Sequence, residues 1–158
     1  MIRRALIDKV REVYVLDWDG LHGFAHWERV RENGLRLAET TGADVEVIEH
    51  FAVLHDCCRL DDGRDPGHGP RAAKLVRELA GDVVHLDPER LELLVTAIRD
   101  HTKGFTEGDV TVRTCWDADR LDIGRADIRP DPARLCTEAA RNPEVIAWGW
   151  RRSRNGRG

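Results

Sequence analysis

The sequence predicts an all-α, single-domain helical bundle. Apolar side chains recur every three to four positions along most of the chain, and alternating β-branched runs are scarce. Glycine, proline and aspartate fall between the periodic stretches, where helices start and stop. With 158 residues, the chain is long enough for one well-covered core, and no repeat, low-complexity tract or linker divides it.

Taken in order, the first sixteen residues place Ile2, Leu6, Ile7, Val10, Val13 and Tyr14 on one stripe, an amphipathic helix. Leu16 to Gly23, with Asp17, Asp19, Gly20 and Gly23, reads as a loop. A helix is expected from Phe24 to Thr41, stopped by Gly42. Asp44 caps the next, which is expected to run to Cys58. Arg59 to Gly69, with three glycines, a proline and three aspartates, is irregular. Helices follow from Arg71 to Leu79 and from Asp87-Pro88 to His101. After a loop marked by Gly104 and Gly108 comes a shorter helical piece, Trp116 to Ile123. Pro130 and Pro132 separate it from closing helices at Ala133–Ala140 and Glu144–Arg151, within about 131–151, and residues 152–158 read as a flexible tail.

The composition is that of a soluble globular protein, 41% hydrophobic and 34% charged. A net charge of −4 gives no argument for binding a nucleic-acid polymer. Only Arg151 to Arg157 is locally basic, and it lacks the apolar residues of a membrane or polyanion module. No stretch reaches the roughly 18 apolar residues of a membrane span, and the charged start has no signal-peptide core. A cytoplasmic location is expected. The four cysteines, with Cys57 and Cys58 adjacent and no CxxC spacing, read as small apolar residues of a reducing compartment.

The chemistry centres on His55-Asp56, inside the apolar run Phe51-Ala-Val-Leu-His-Asp-Cys-Cys58. A bare carboxylate facing a core costs several kcal/mol, roughly, unless it is paired or holds a metal. Adjacent helical residues point about 100° apart, so further ligands must come from other helices. His26, His68, His101 and Asp117-Ala-Asp119 supply them. Imidazoles with carboxylates suit Fe, Mn, Co, Ni or Zn, and spacing alone does not choose among them.

These residues resemble the HD superfamily of metal-dependent phosphohydrolases, whose order is a histidine, an HD doublet and a distant aspartate. His26 lies in His-Gly-Phe-Ala-His-Trp-Glu-Arg-Val, and His-x-x-Arg-Val matches the first motif. Asp119 lies in Asp-Ala-Asp-Arg-Leu-Asp122, where Ala-Asp-Arg-Leu matches the last. The resemblance covers about residues 21–126. It implies an HD-type bundle and a divalent ion (Mn, Fe, Co, Ni, Zn or Mg) held by His26, His55, Asp56 and Asp119. Some members carry two further histidines in the interval that His68 and His101 occupy, which implies a second ion sharing Asp56 as a bridge. Asp117 remains a rival to Asp119. One ion or two stays open as well.

The resemblance implies a hydrolase acting on phosphate mono- or diesters of a small metabolite, nucleotides foremost, through a metal-activated water with Asp56 at the catalytic centre. The acid that 5′-deoxynucleotidases carry three residues past the doublet is replaced here by Arg59. The Gly-Tyr-Pro motif of cyclic-dinucleotide phosphodiesterases and the acid pair of alarmone hydrolases are absent. Arg59, Lys103 and Arg120 are candidate phosphate ligands, each with a salt bridge to a nearby aspartate as the competing reading. His22 is either a substrate contact or an exposed loop histidine, and His50 and His85 read as surface residues. Two other functions fit the residues: an HD-type di-iron oxygenase and a non-catalytic nucleotide-binding module.

Overall fold

The computed structural model describes residues 2–155. Among them are eight α-helices: α1 (Ile2–Val13), α2 (Phe24–Thr41), α3 (Val45–Leu54), α4 (His68–Leu79), α5 (Pro88–Asp100), α6 (Val110–Arg120), α7 (Glu138–Arg141) and α8 (Pro143–Asn155). Short 3₁₀ turns cover Ile123–Ala126 and Pro132–Arg134. Helix α2 packs on α3 and α6, α5 packs on α3, α4 and α6, and α1 lies against α3. The main core, with Trp27, Phe51, Leu54, Leu94 and Ile98 fully buried, fills the space between them. A smaller cluster of Leu37, Leu121, Leu135, Ala140, Val145 and Ile146 seats α7 and α8 on α2.

Local signals set most helix ends. Gly42 closes α2 in the left-handed region at φ 74°, its N–H donating to Ala38 O. The Asp44 carboxylate accepts from Val47 N at 3.1 Å and also from Arg90 Nε at 2.6 Å, so one N-cap joins α3 to α5. Asp87 caps α5 ahead of Pro88, and Asp109 caps α6 by accepting from Thr111 N at 2.7 Å.

Four boundaries differ from the sequence expectation. Helix α3 ends at Leu54, so His55-Asp56 falls on the following turn rather than inside the helix. Helix α4 begins at His68, because the first-turn N–H groups of a helix have no intrahelical partner, so Gly69 and a Pro70 that lacks a donor are tolerated there. Helix α6 begins at Val110, where the β-branched run Val-Thr-Val masks a helix that Asp109 caps. The segment expected as a helix at 133–140 is a 3₁₀ turn followed by the short α7.

The expected flexible tail is helical as far as Asn155, because Arg152 bonds Asn33 and Glu32 of α2 and Ser153 is buried. Residues 156–158, the rest of that tail, lie outside the described residues. No helix among the described residues is long and apolar enough to cross a membrane.

Gly69 lets α4 approach the backbone of α5 closely. A Cβ there would meet Ile98 O at 2.9 Å and Arg99 O at 2.8 Å. Both are backbone atoms of the turn leading to His101. Gly69→Ala is expected to destabilise the protein by about 1–3 kcal/mol. A denaturant melt beside Lys74→Ala, on the exposed face of the same helix, measures it; equal midpoints would show that α4 moves freely against α5.

Candidate metal centre

Five helix ends deliver six side chains to one buried point. His26 comes from the first turn of α2, His55-Asp56 from the turn closing α3, and His68 opens α4. His101 caps the C-terminus of α5, and Asp119 lies in the last turn of α6. His26, His55, His68 and His101 are 0%, 0%, 1% and 5% exposed and Asp56 is 2% exposed, so bulk water does not solvate this concentration of polar atoms.

The contacts form two groups that share one carboxylate. In the first, His26 Nε2 lies 3.1 Å from His55 Nε2. Asp56 Oδ2 and Asp119 Oδ1 are each 3.3 Å from His26 Nε2, and 3.4 and 3.5 Å from His55 Nε2. In the second, His68 Nε2 and His101 Nε2 are 2.9 Å apart, at 3.0 and 3.4 Å from Asp56 Oδ1. Asp56 thus presents one oxygen to each group.

The tautomers decide what these atoms can do. His26 Nδ1 faces Asp122 Oδ2 at 2.6 Å, and His55 Nδ1 faces Phe51 O and Ala52 O, each at 3.1 Å. His68 Nδ1 is 2.5 Å from Asp65 O, and His101 Nδ1 is 2.6 Å from Ile98 O. Carbonyl and carboxylate oxygens only accept, so every Nδ1 carries its hydrogen outward. In the neutral rings every Nε2 is then a lone pair turned inward, facing other lone pairs and carboxylate oxygens. Such an assembly coheres only around positive charge.

A divalent ion meets that requirement. At a metal–ligand bond of about 2.1 Å, neighbouring ligand atoms stand about 3.0 Å apart in octahedral and about 3.4 Å apart in tetrahedral coordination. The separations within each group fall in or beside that interval. The donor set fits, and both groups, His26-His55-Asp56 and Asp56-His68-His101, have their ligand atoms within 4.8 Å of one another. Without a metal, a proton fills the role. Burial disfavours a charged His55, but Asp56 and Asp119 overcome it and raise its pKa to about 10. Asp56 is itself held well below the carboxylate range: burial opposes its charge, and His55, His101 and His26 outweigh that.

Asp122 and Arg29 complete the supporting layer, and neither was singled out from the sequence. Arg29 Nε donates to Asp122 Oδ1 at 2.7 Å while Asp122 Oδ2 orients His26, one turn away on the same face of α2. The i, i+3 pairing of His26 with Arg29 and of Asp119 with Asp122 was the available signal. Further along α2, the buried Asn33 donates to Ala118 O at 2.9 Å and fixes the end of α6 beside Asp119. Asp117, the rival to Asp119, points elsewhere: its carboxylate accepts from Cys136 N, Thr137 N and Thr137 Oγ1 at 2.7, 2.9 and 2.7 Å. It anchors the approach to α7.

The candidate phosphate ligands divide. Arg59 Nη1 donates to Asp61 O and Gly63 O, and its Nε is 3.6 Å from Asp56 Oδ1, so it staples its own loop against the carboxylate that both groups share. Lys103 pairs with Asp100 at 3.0 Å, the partner that the i, i+3 spacing offers. Arg120 does line a cavity of about 750 Å³ that begins at His101 and Asp119, and Arg125, which sequence reasoning passed over, lines it too. His22 is buried rather than exposed and bonds Asp62 Oδ1 at 2.8 Å. His50, expected at the surface, is 6% exposed and bonds Glu46 O. His85 is exposed.

The raised pKa of His55 sets a pH dependence for the metal-free protein. Its folded value, about 10, exceeds the ordinary 6.5. Its contribution to stability is therefore complete below about pH 6.5 and is lost as pH rises through about 10. Melting points of chelator-treated protein should fall across that window, and His55→Gln should flatten the fall. Metal-loaded protein should gain ion affinity over the same rise, because protons no longer compete. A melting point independent of pH in the chelated protein would contradict the assignment.

Comparisons with known proteins agree with this picture. No protein-family profile matches the chain. The symmetrical bis(5′-nucleosyl)-tetraphosphatase of Staphylococcus aureus (strain NCTC 8325 / PS 47) is 27% identical over 122 residues, 65% of this chain and 59% of that enzyme. The match therefore spans less than two thirds of that relative. The crystal structure of a predicted HD superfamily hydrolase from an uncultured Thermotogales bacterium has a TM-score of 0.72 and 27% identity, covering 94% of this chain and 84% of that one. In its whole fold the chain is thus similar to a predicted HD superfamily hydrolase.

Proposed function

We propose that the protein is a metal-dependent phosphohydrolase that cleaves a phosphate mono- or diester of a small metabolite, a nucleotide foremost. One observation carries this reading: the inward lone pairs of His26, His55, His68 and His101 surround an Asp56 that turns one oxygen to each group. The cavity at its edge has arginine walls. Those cationic walls suit an anionic substrate, and the oxygen requirement of turnover separates hydrolysis from oxygen chemistry on it.

Divalent ions bound by these residues supply acidification of a water and neutralisation of charge on a phosphoryl oxygen. The chain does the rest. Asp56 fixes the spacing of the two groups, and Asp122 with Arg29 locks the ring of His26. Arg125 Nη2 lies 4.0 Å from Asp119 Oδ1, while its Nε is a buried donor without a protein partner. Because Arg125 also lines the cavity beside Asp119, we read it as a donor to a phosphoryl oxygen, and such donors stabilise charge developing in the transition state. The nucleotide reading leans on the tetraphosphatase relative, whose name gives bis(5′-nucleosyl) tetraphosphates as its substrates.

The test is phosphate release from a panel of nucleotides and sugar phosphates by protein loaded with Mn²⁺, Fe²⁺, Co²⁺, Ni²⁺, Zn²⁺ or Mg²⁺, run without oxygen. Turnover is expected to persist anaerobically, which an oxygenase would not allow. Asp56→Ala should remove both ions and all measurable turnover. His68→Ala should leave about one ion per chain, and Asp122→Asn should cost about 10–100-fold in metal affinity or rate. A metal-replete protein that binds these compounds and releases no phosphate would overturn the reading.

A further inference from the structure

The cavity holds more positive charge than one reacting phosphate can use. Its wall carries Arg120, Arg125, Arg129 and Arg134 against two carboxylates, Asp119 and Asp131. Asp119 is turned to the histidines, and Asp131 accepts from Ala133 N at 2.9 Å. The arginines fall into an inner and an outer pair. Arg120 is held by Arg134 O at 2.9 Å and by Cys136 Sγ at 3.3 Å, and Arg125 by Asp122 O at 2.9 Å. Each nonetheless keeps a buried N–H without a protein partner, Arg120 Nη2 and Arg125 Nε.

Arg129 and Arg134 are exposed and come from the segment after the first 3₁₀ turn. Neither has an ion-pair partner among the described residues; Arg129 only lies 5.7 Å over the Trp150 ring. Arg71, Arg77 and Arg90, by contrast, are each held by a carboxylate. Like charges gathered around one concavity repel, and an anion bound between them relieves the repulsion.

From this arrangement we infer a second anion subsite. A substrate presents its scissile phosphate at the inner end, beside Asp119 and Arg125, and a further phosphate to Arg129 and Arg134 at the outer end. The preferred substrates are therefore organic compounds with at least two phosphate groups. Ile123, Ile128 and Leu135 in the same wall accommodate the organic part. A volume of about 750 Å³ exceeds the needs of a lone phosphate and lies within the usual range for small-molecule sites. This inference rests on the phosphohydrolase reading for which phosphate is cleaved, but the subsite itself is a matter of binding.

Two matched pairs test it on metal-loaded protein by equilibrium binding, with KM and kcat taken separately for any probe that is turned over. AMP against ADP offers adjoining phosphates, and glucose 6-phosphate against glucose 1,6-bisphosphate offers separated ones. In at least one pair the two-phosphate member should bind about 10-fold tighter or more, with an advantage that shrinks as salt rises. Arg129→Ala/Arg134→Ala should reduce that advantage to about 2-fold or less. Metal content and affinity for the one-phosphate member should be unchanged. The pair that shows the advantage reports the spacing of the two phosphates. Equal affinities within both pairs, or a double variant that weakens both members alike, would overturn the subsite. Failure of the phosphohydrolase reading would instead leave the advantage intact and release no phosphate.

Discussion

Lone pairs that face one another hold this protein to its purpose. Every histidine of the centre gives its Nδ1 hydrogen to an oxygen behind it, so every Nε2 is left to accept, and the groups in front of it accept as well. Left bare in a buried space, such atoms would push the helix ends apart. Positive charge at the middle reverses the sign of each contact. A proton shared near His55 serves the metal-free protein, and divalent ions would serve the loaded one.

The fold is arranged to withstand that demand. Helices α2, α3, α5 and α6 bury a continuous apolar core on one side of the centre, and their ends converge on it. Small residues let the helices approach: Gly69 against the α5 carbonyls, and Gly34 where a Cβ would lie 2.5 Å from Ile48 Cγ2. Polar clasps then fix orientation, with Asp44 joining α3 to α5 and Asn33 joining α2 to α6. The buried Asp122 carboxylate fixes the imidazole of His26, and backbone carbonyls fix those of His55, His68 and His101. Stability and protonation are therefore coupled through the same few hydrogen bonds, and the affinity for an ion held there would be coupled to both.

Much of this was legible in the residues themselves. The ordered quartet His26, His55, Asp56 and Asp119 pointed to the centre, and Gly42 and Asp87-Pro88 marked their helix ends, because each of these signals is local. What escaped depends on distance in sequence. Asp122 matters because Arg29, remote along the chain, pins it; Arg125 matters because a 3₁₀ turn folds it back beside Asp119. For Lys103 the competing reading, a salt bridge, is the one the structure shows, with Asp100 one turn earlier. The β-branched start of α6 and the Gly-Pro start of α4 misled for a different reason. Capping and tertiary packing overrode propensity there.

The most direct measurement of the central claim is anomalous scattering from crystals grown without chelator, collected at the edges of the first-row metals. Two peaks are predicted, one among His26, His55, Asp56 and Asp119 and one among Asp56, His68 and His101, with an Asp56 oxygen bound to each. A metal-supplemented crystal with no peak inside the cluster, or with ions that leave Asp56 untouched, would contradict the account.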